Sequence, residues 1–99
     1  MPGDLTYMQT ICITITGEVQ GVFFRQSTRE KANMLEVKGQ VRNLPEGGVE
    51  IIATGDPKQL EELATWCKQG PLRARVDSVE VRDLPLQVFA EFSVIRSRD

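Results

Sequence analysis

The sequence predicts an α+β fold, one antiparallel sheet with two helices on one face. Three observations carry that expectation. Ile11, Ile13 and Ile15 alternate with Cys12, Thr14 and Thr16, the period-two pattern of a half-buried, β-branched strand. Phe24, Thr28, Ala32 and Leu35 recur at helical spacing, with Arg29, Glu30, Lys31 and Asn33 largely on the other side. Asp56-Pro57 followed by Leu60, Leu63, Ala64 and Cys67 marks a second amphipathic helix with its own start signal.

Taken in order, the first strand is expected to end at Gly17, and Glu18 to Phe24, with no clean period and a glycine at position 21, reads as a tight loop. The helix that follows should stop near Leu35-Glu36-Val37, because Gly39 and Val41 open an extended segment. Pro45-Glu46-Gly47-Gly48 separates that segment from Val49-Glu50-Ile51-Ile52-Ala53, which makes a hairpin. Asp56 is the expected N-cap of the second helix, Gln59 occupies the capping-box position, and Gly70-Pro71 stops the helix. Val79 and Val81 mark a fourth strand, and Phe92 and Val94 a short fifth after the Leu84-Pro85-Leu86 break. The order is βαββαβ plus a terminal strand, the ferredoxin-like α/β sandwich plan, with residues 1–8 as a flexible N-terminal extension of a single domain spanning 1–99. Trp66 and Phe92 fall on apolar faces and are expected in the core.

Composition narrows the function. With 99 residues, 40% hydrophobic and 26% charged, the chain has the balance of one globular domain. Its net charge is −2, so it offers no global positive field for nucleic acid or acidic membrane, and any anion site must be local. No apolar run approaches the roughly 20 residues of a membrane span. Met1-Pro2-Gly3-Asp4 lacks the basic-then-apolar order of a signal peptide, and a cytoplasmic protein is expected. Cys12 and Cys67 then read as reduced thiols. There is no histidine, which removes Ser-His and Cys-His mechanisms and the common zinc sites; no carboxylate cluster suggests Mg²⁺, so neither metal nor cofactor is expected.

Two segments carry candidate chemistry. Gly17-Glu18-Val19-Gln20-Gly21-Val22-Phe23-Phe24-Arg25 is a glycine-containing loop feeding a helix N-terminus, where unpaired N–H groups and the positive dipole end favour anions. Arg25 adds a charged planar fork able to donate two hydrogen bonds to one phosphate. Short glycine motifs match by chance, and local composition alone favours a plain turn with a solvated arginine. Gly39-Gln40-Val41-Arg42-Asn43 places at a strand end an amide that can orient water without changing charge, or simply cap the turn before Leu44-Pro45.

Together these segments closely resemble the acylphosphatase family, whose signatures are a G-x-V-Q-G-V-x-F-R loop and a G-x-V-x-N strand. The resemblance continues through Leu44-Pro45-Glu46-Gly47, Val49-Glu50, Gly55, Leu60, Leu63, Trp66, Gly70-Pro71, Val76, Val79, Val81 and Phe92. It implies that Arg25 is the phosphate-binding arginine, that Asn43 positions the attacking water, and that Glu18, Val19, Gln20, Gly21, Val22 and Phe23 supply the backbone cradle. Two departures stand out: Gln40, where many relatives carry an aromatic residue, and Glu36, where many have glycine.

The implied activity is hydrolysis of the carboxyl-phosphate anhydride of small acyl phosphates by a monomer, with inorganic phosphate as product inhibitor. The carboxylate leaving group has a conjugate acid of pKa about 4 and needs no general acid, so the missing imidazole is intelligible. Two other readings stand beside it: a non-catalytic anion-binding regulatory module of the same fold, and an RNA binder. The RNA reading is disfavoured by the acidic balance and the missing aromatic-basic pattern.

Overall fold

The computed structural model describes residues 7–96; most of the extension assigned to residues 1–8 lies outside them. Five strands and two helices follow in the order β1 (Gln9–Glu18), α1 (Phe24–Met34), β2 (Lys38–Asn43), β3 (Val49–Gly55), α2 (Pro57–Cys67), β4 (Arg75–Leu84) and β5 (Phe92–Ile95). The sheet order is β4-β1-β3-β2-β5. β1 pairs antiparallel with β3 and β4, and β2 with β3, as the sequence predicts. β5 instead joins β2 in parallel, Val41 opposite Val94, so the sheet is mixed at that edge. The reason is the connection: residues 85–91 carry the chain from β4, at one edge of the sheet, to the opposite edge, where it enters in the direction of β2.

That crossing is tied down by hydrogen bonds. Thr10 Oγ1 and Thr54 Oγ1 lie 2.6 Å apart, the Thr54 hydroxyl donates to the Gln87 carbonyl at 2.8 Å, and the Gln87 N–H donates to Thr10 Oγ1 at 2.9 Å. Both threonines are buried, so these bonds satisfy groups that would otherwise be costly to dehydrate.

Alternation and helical periodicity meet in one core. Ile11, Ile13 and Ile15 of β1, Val41 of β2, and Val49, Ile51 and Ala53 of β3 are buried together with Phe24 and Ala32 of α1 and Leu60, Leu63 and Cys67 of α2. Thr28 shares α1's buried face without an orphaned hydroxyl, because its Oγ1 donates to the Phe24 carbonyl at 2.8 Å. α1 covers β2 and β5, while α2 covers β1, β3 and β4. Phe92 is in the core as expected; Trp66 is only half-buried and packs against Phe24, ring centroids 5.6 Å apart.

Local signals hold with two corrections. β1 does not end at Gly17: a bulge between Thr16 and Gly17 lets the strand continue to Glu18, with glycine at φ 129° where a side chain would collide with the Arg75 carbonyl oxygen. Asp56 caps α2 by accepting from the Lys58 N–H at 2.9 Å, but Gln59 makes no return bond to it among the described residues, so only half of the capping box forms. The fourth strand is marked by Val79 and Val81 as expected, and β4 runs from Arg75 to Leu84 as an edge strand.

α1 ends in a Schellman motif: the Val37 N–H donates to the Ala32 carbonyl at 2.9 Å and the Glu36 N–H to the Asn33 carbonyl at 3.2 Å. Glu36 therefore sits at φ 60°, the left-handed position that glycine fills with less strain.

Candidate active site

Strand alternation decides which side chains reach the N-terminus of α1. Arg42 pairs with Glu50 at 2.9 Å on the helix-free face, and this bond raises the arginine's pKa. Its neighbours Val41 and Asn43 therefore face the helices, and Asn43, the last residue of β2, points toward the start of α1. Val94, parallel to Val41, faces the same way.

The loop before α1 is shaped by two left-handed residues, Gly21 at φ 75° and Phe23 at φ 64°. Gly21 adopts this angle freely, whereas Phe23, the N-cap of α1, is strained and largely exposed. Phe23 supplies no side-chain cap, and the first intrahelical bond runs from the Ser27 N–H to the Phe23 carbonyl at 3.0 Å. The N–H groups of Phe24, Arg25 and Gln26 thus precede the helical ladder and find no backbone acceptor among the described residues. Gln20 fastens the loop from the other side: its Nε2 donates to the Leu44 carbonyl at 2.8 Å and to the Gly48 carbonyl at 2.7 Å, joining the loop to the β2–β3 hairpin.

At this junction lies an open cavity of about 300 Å³ lined by residues of the loop, α1, β2 and β5. Arg25 and Asn43, from the two sequence segments, both line it. Arg25 is half-buried, and its Nη1 donates to the Ile95 carbonyl at 3.0 Å, which orients the fork and leaves its other donors for a ligand. Of the loop, Val19, Gly21 and Phe23 line the cavity. Glu18, Gln20 and Val22 do not: Glu18 ends β1 and meets exposed Arg75 at 3.5 Å, Gln20 holds the hairpin, and Val22 packs against the core.

Sequence reasoning missed Gln26, Arg29 and Arg96, which also line the cavity. Arg29 was expected on the solvent side of α1, yet its i+4 spacing from Arg25 places the two on one face, a signal the sequence does contain. Arg96 follows β5 and has no such signal. Three arginines and no carboxylate line this cavity of an acidic chain, a local positive site.

A model of the family described as Acylphosphatase matches residues 11–94. The chain belongs to the acylphosphatase family. It is 51% identical over 81 residues to an acylphosphatase of Marinobacter nauticus, covering 81% of this chain and 88% of that one. To an acylphosphatase of Pseudomonas paraeruginosa it is 50% identical over 91 residues, covering 90% of this chain and 100% of that one. The structure of an acylphosphatase from Coxiella burnetii superposes with a TM-score of 0.90 at 36% identity, covering 96% of this chain and all of that one. The ferredoxin-like α+β fold and enzymatic acyl phosphate hydrolysis are those of an acylphosphatase.

Among the described residues of this acylphosphatase, no group of three or more His, Cys, Asp or Glu could hold a metal ion, and no helix is long and apolar enough to cross a membrane. Both cysteines are free and buried, and burial pushes the Cys67 thiol up to about 12, which keeps it protonated and unreactive.

Proposed function

We propose that Arg25 and the backbone N–H groups of the loop at its cavity-lining residues Val19, Gly21 and Phe23, together with those opening α1, hold the phosphoryl group of an acyl phosphate while Asn43 places the attacking water. The observation that carries this reading is the convergence of Arg25 and Asn43 on one cavity at an uncapped helix N-terminus. The helix end contributes roughly half a positive charge, and the guanidinium a full one, where phosphoryl charge must be balanced.

The water oxygen bonds to phosphorus as the bond from phosphorus to the bridging oxygen breaks. The electron pair leaves with the carboxylate, and one water proton passes to a phosphate oxygen. The products are a carboxylate and inorganic phosphate, with no protein group covalently modified. Asn43 suits its role because an amide can accept from the water and donate elsewhere without titrating. We assign the enzyme to the cytoplasm as a monomer, inhibited competitively by inorganic phosphate, since the product carries the group the cradle recognises.

The test is hydrolysis of benzoyl phosphate in the presence of a chelator, followed by addition of inorganic phosphate. Turnover without added metal and competitive inhibition are expected. Activity that a chelator abolishes and Mg²⁺ restores would overturn this account. Phosphate binding without turnover would instead leave an anion-binding module.

A further inference from the structure

Arg25 and Asn43 are carried by different elements, so in-line attack requires that the start of α1 and the end of β2 keep a fixed separation. The sheet holds Asn43 from one side only. β2 pairs with β5 as far as Arg42, opposite Ile95, whereas Asn43 pairs with Val49 of β3 alone. The Asn43 side chain has no hydrogen-bond partner among the described residues, so the course of the backbone sets where its amide stands.

The hairpin turn that follows closes with its own backbone: the Leu44 N–H donates to the Gly48 carbonyl at 2.8 Å and the Gly47 N–H to the Leu44 carbonyl at 3.0 Å. Gln20, from the loop before α1, brings a second donor to each of those carbonyls, at 2.8 Å to Leu44 and 2.7 Å to Gly48. A primary amide carries two N–H hydrogens, and here both go to one turn. The amide oxygen could not take the nitrogen's place, because both neighbours only accept. Among the described residues no other side-chain hydrogen bond joins the loop to the hairpin. Gln20 is half-buried, which strengthens the two bonds, yet it does not line the cavity.

We infer that Gln20 is a positioning residue for hydrolysis: by clamping the turn immediately after Asn43 to the loop that receives the phosphoryl group, it sets the distance over which the water attacks. The inference rests on the reading that Asn43 places that water. Because the turn is complete without Gln20, the clamp fixes the separation of loop and hairpin, not the hairpin itself. A displacement of about 1 Å between them costs about 10²-fold in rate. Phosphate binding is much less exposed to such a shift, since Arg25 is oriented independently by the Ile95 carbonyl and the helix N–H groups belong to α1.

Gln20→Met keeps the reach of the side chain and removes both donors. Paired with Asn43→Ala, it gives a double-mutant cycle in which benzoyl phosphate turnover and inorganic phosphate affinity are measured on the same folded preparations. Should Gln20→Met not fold, Gln20→His, which keeps one donor, takes its place in the cycle. The single Gln20 variant should lower kcat about ten- to hundredfold, with phosphate affinity within about twofold of wild type. In the Asn43→Ala background the same substitution should lower kcat no further. Wild-type kcat in the single variant would overturn the inference. So would an equal proportional loss in both backgrounds, or a loss of phosphate affinity that matches the loss of rate, since either places Gln20 with the cradle or the fold and not with Asn43. A spectroscopic arm separates this inference from the reading beneath it: the Asn43 side-chain amide signals, identified in proton–nitrogen spectra by their loss in Asn43→Ala, should move in the Gln20 variant with phosphate bound. If the wild type does not hydrolyse acyl phosphates, or Asn43→Ala turns over normally, the hydrolytic reading fails and these spectra alone decide. Displaced signals then leave the clamp standing, and unmoved signals overturn it.

Discussion

Replacing Glu36 by glycine should stabilise this protein without touching its chemistry. Glu36 occupies the left-handed C′ position of a complete Schellman motif at φ 60°, is exposed, and makes no ion pair among the described residues. An L-residue costs about 1–2 kcal/mol at such angles, and relieving that strain is offset by about 0.5–1 kcal/mol from the greater freedom of glycine in the unfolded chain. A net gain of about 0.5–1 kcal/mol follows, or about 2–8 °C in melting temperature for a domain of this size. Glu36 also places a negative charge at the helix's negative end, so Glu36→Ala should recover a few tenths of a kcal/mol by charge removal alone. Thermal unfolding followed by circular dichroism on both variants isolates the backbone contribution as the difference between Gly and Ala. If the glycine variant melts no higher than the alanine variant, the strain argument is wrong.

Arg25→Lys keeps a charge but loses the planar fork and the orienting bond to the Ile95 carbonyl, so phosphate affinity and turnover should fall together; wild-type kinetics in this variant would exclude Arg25 as the clamp. Asn43→Ala should lower the rate roughly 10²-fold or more while phosphate still binds, whereas a turn-capping role would cost about 1 kcal/mol of stability with turnover per folded molecule unchanged. Both thiols should resist an aromatic disulfide reagent at pH 8 until the protein unfolds, since both are buried. The Cys67 pKa is raised on folding from 9.0 to about 12, so the unfolded chain loses its proton first, and stability should fall as pH rises from about 9 toward 12. A pH-independent melting temperature across that window in the wild type would contradict this.

Sequence alone determined the elements, because their signals are short-range: the alternation of Ile11, Ile13 and Ile15, the Asp56-Pro57 start of α2 and its Gly70-Pro71 stop each act within one turn or one strand. The two family motifs were equally legible, since each is continuous in the chain. Tertiary structure decided what those signals do not encode. Arg25 meets the Ile95 carbonyl across 70 positions, and Gln20 bridges to the hairpin, because strand order and register bring distant segments together. The bulge that carries β1 past Gly17 depended on β4 lying alongside, and the parallel entry of β5 depended on a crossing held by Thr10, Thr54 and Gln87. Periodicity put Arg29 on the solvent side of α1, because a residue at a helix's flank carries no sign of whether solvent or a neighbouring site lies beside it. Only the placement of α1 over β2 and β5, with Arg96 at the end of β5, turned that flank into the wall of a cavity.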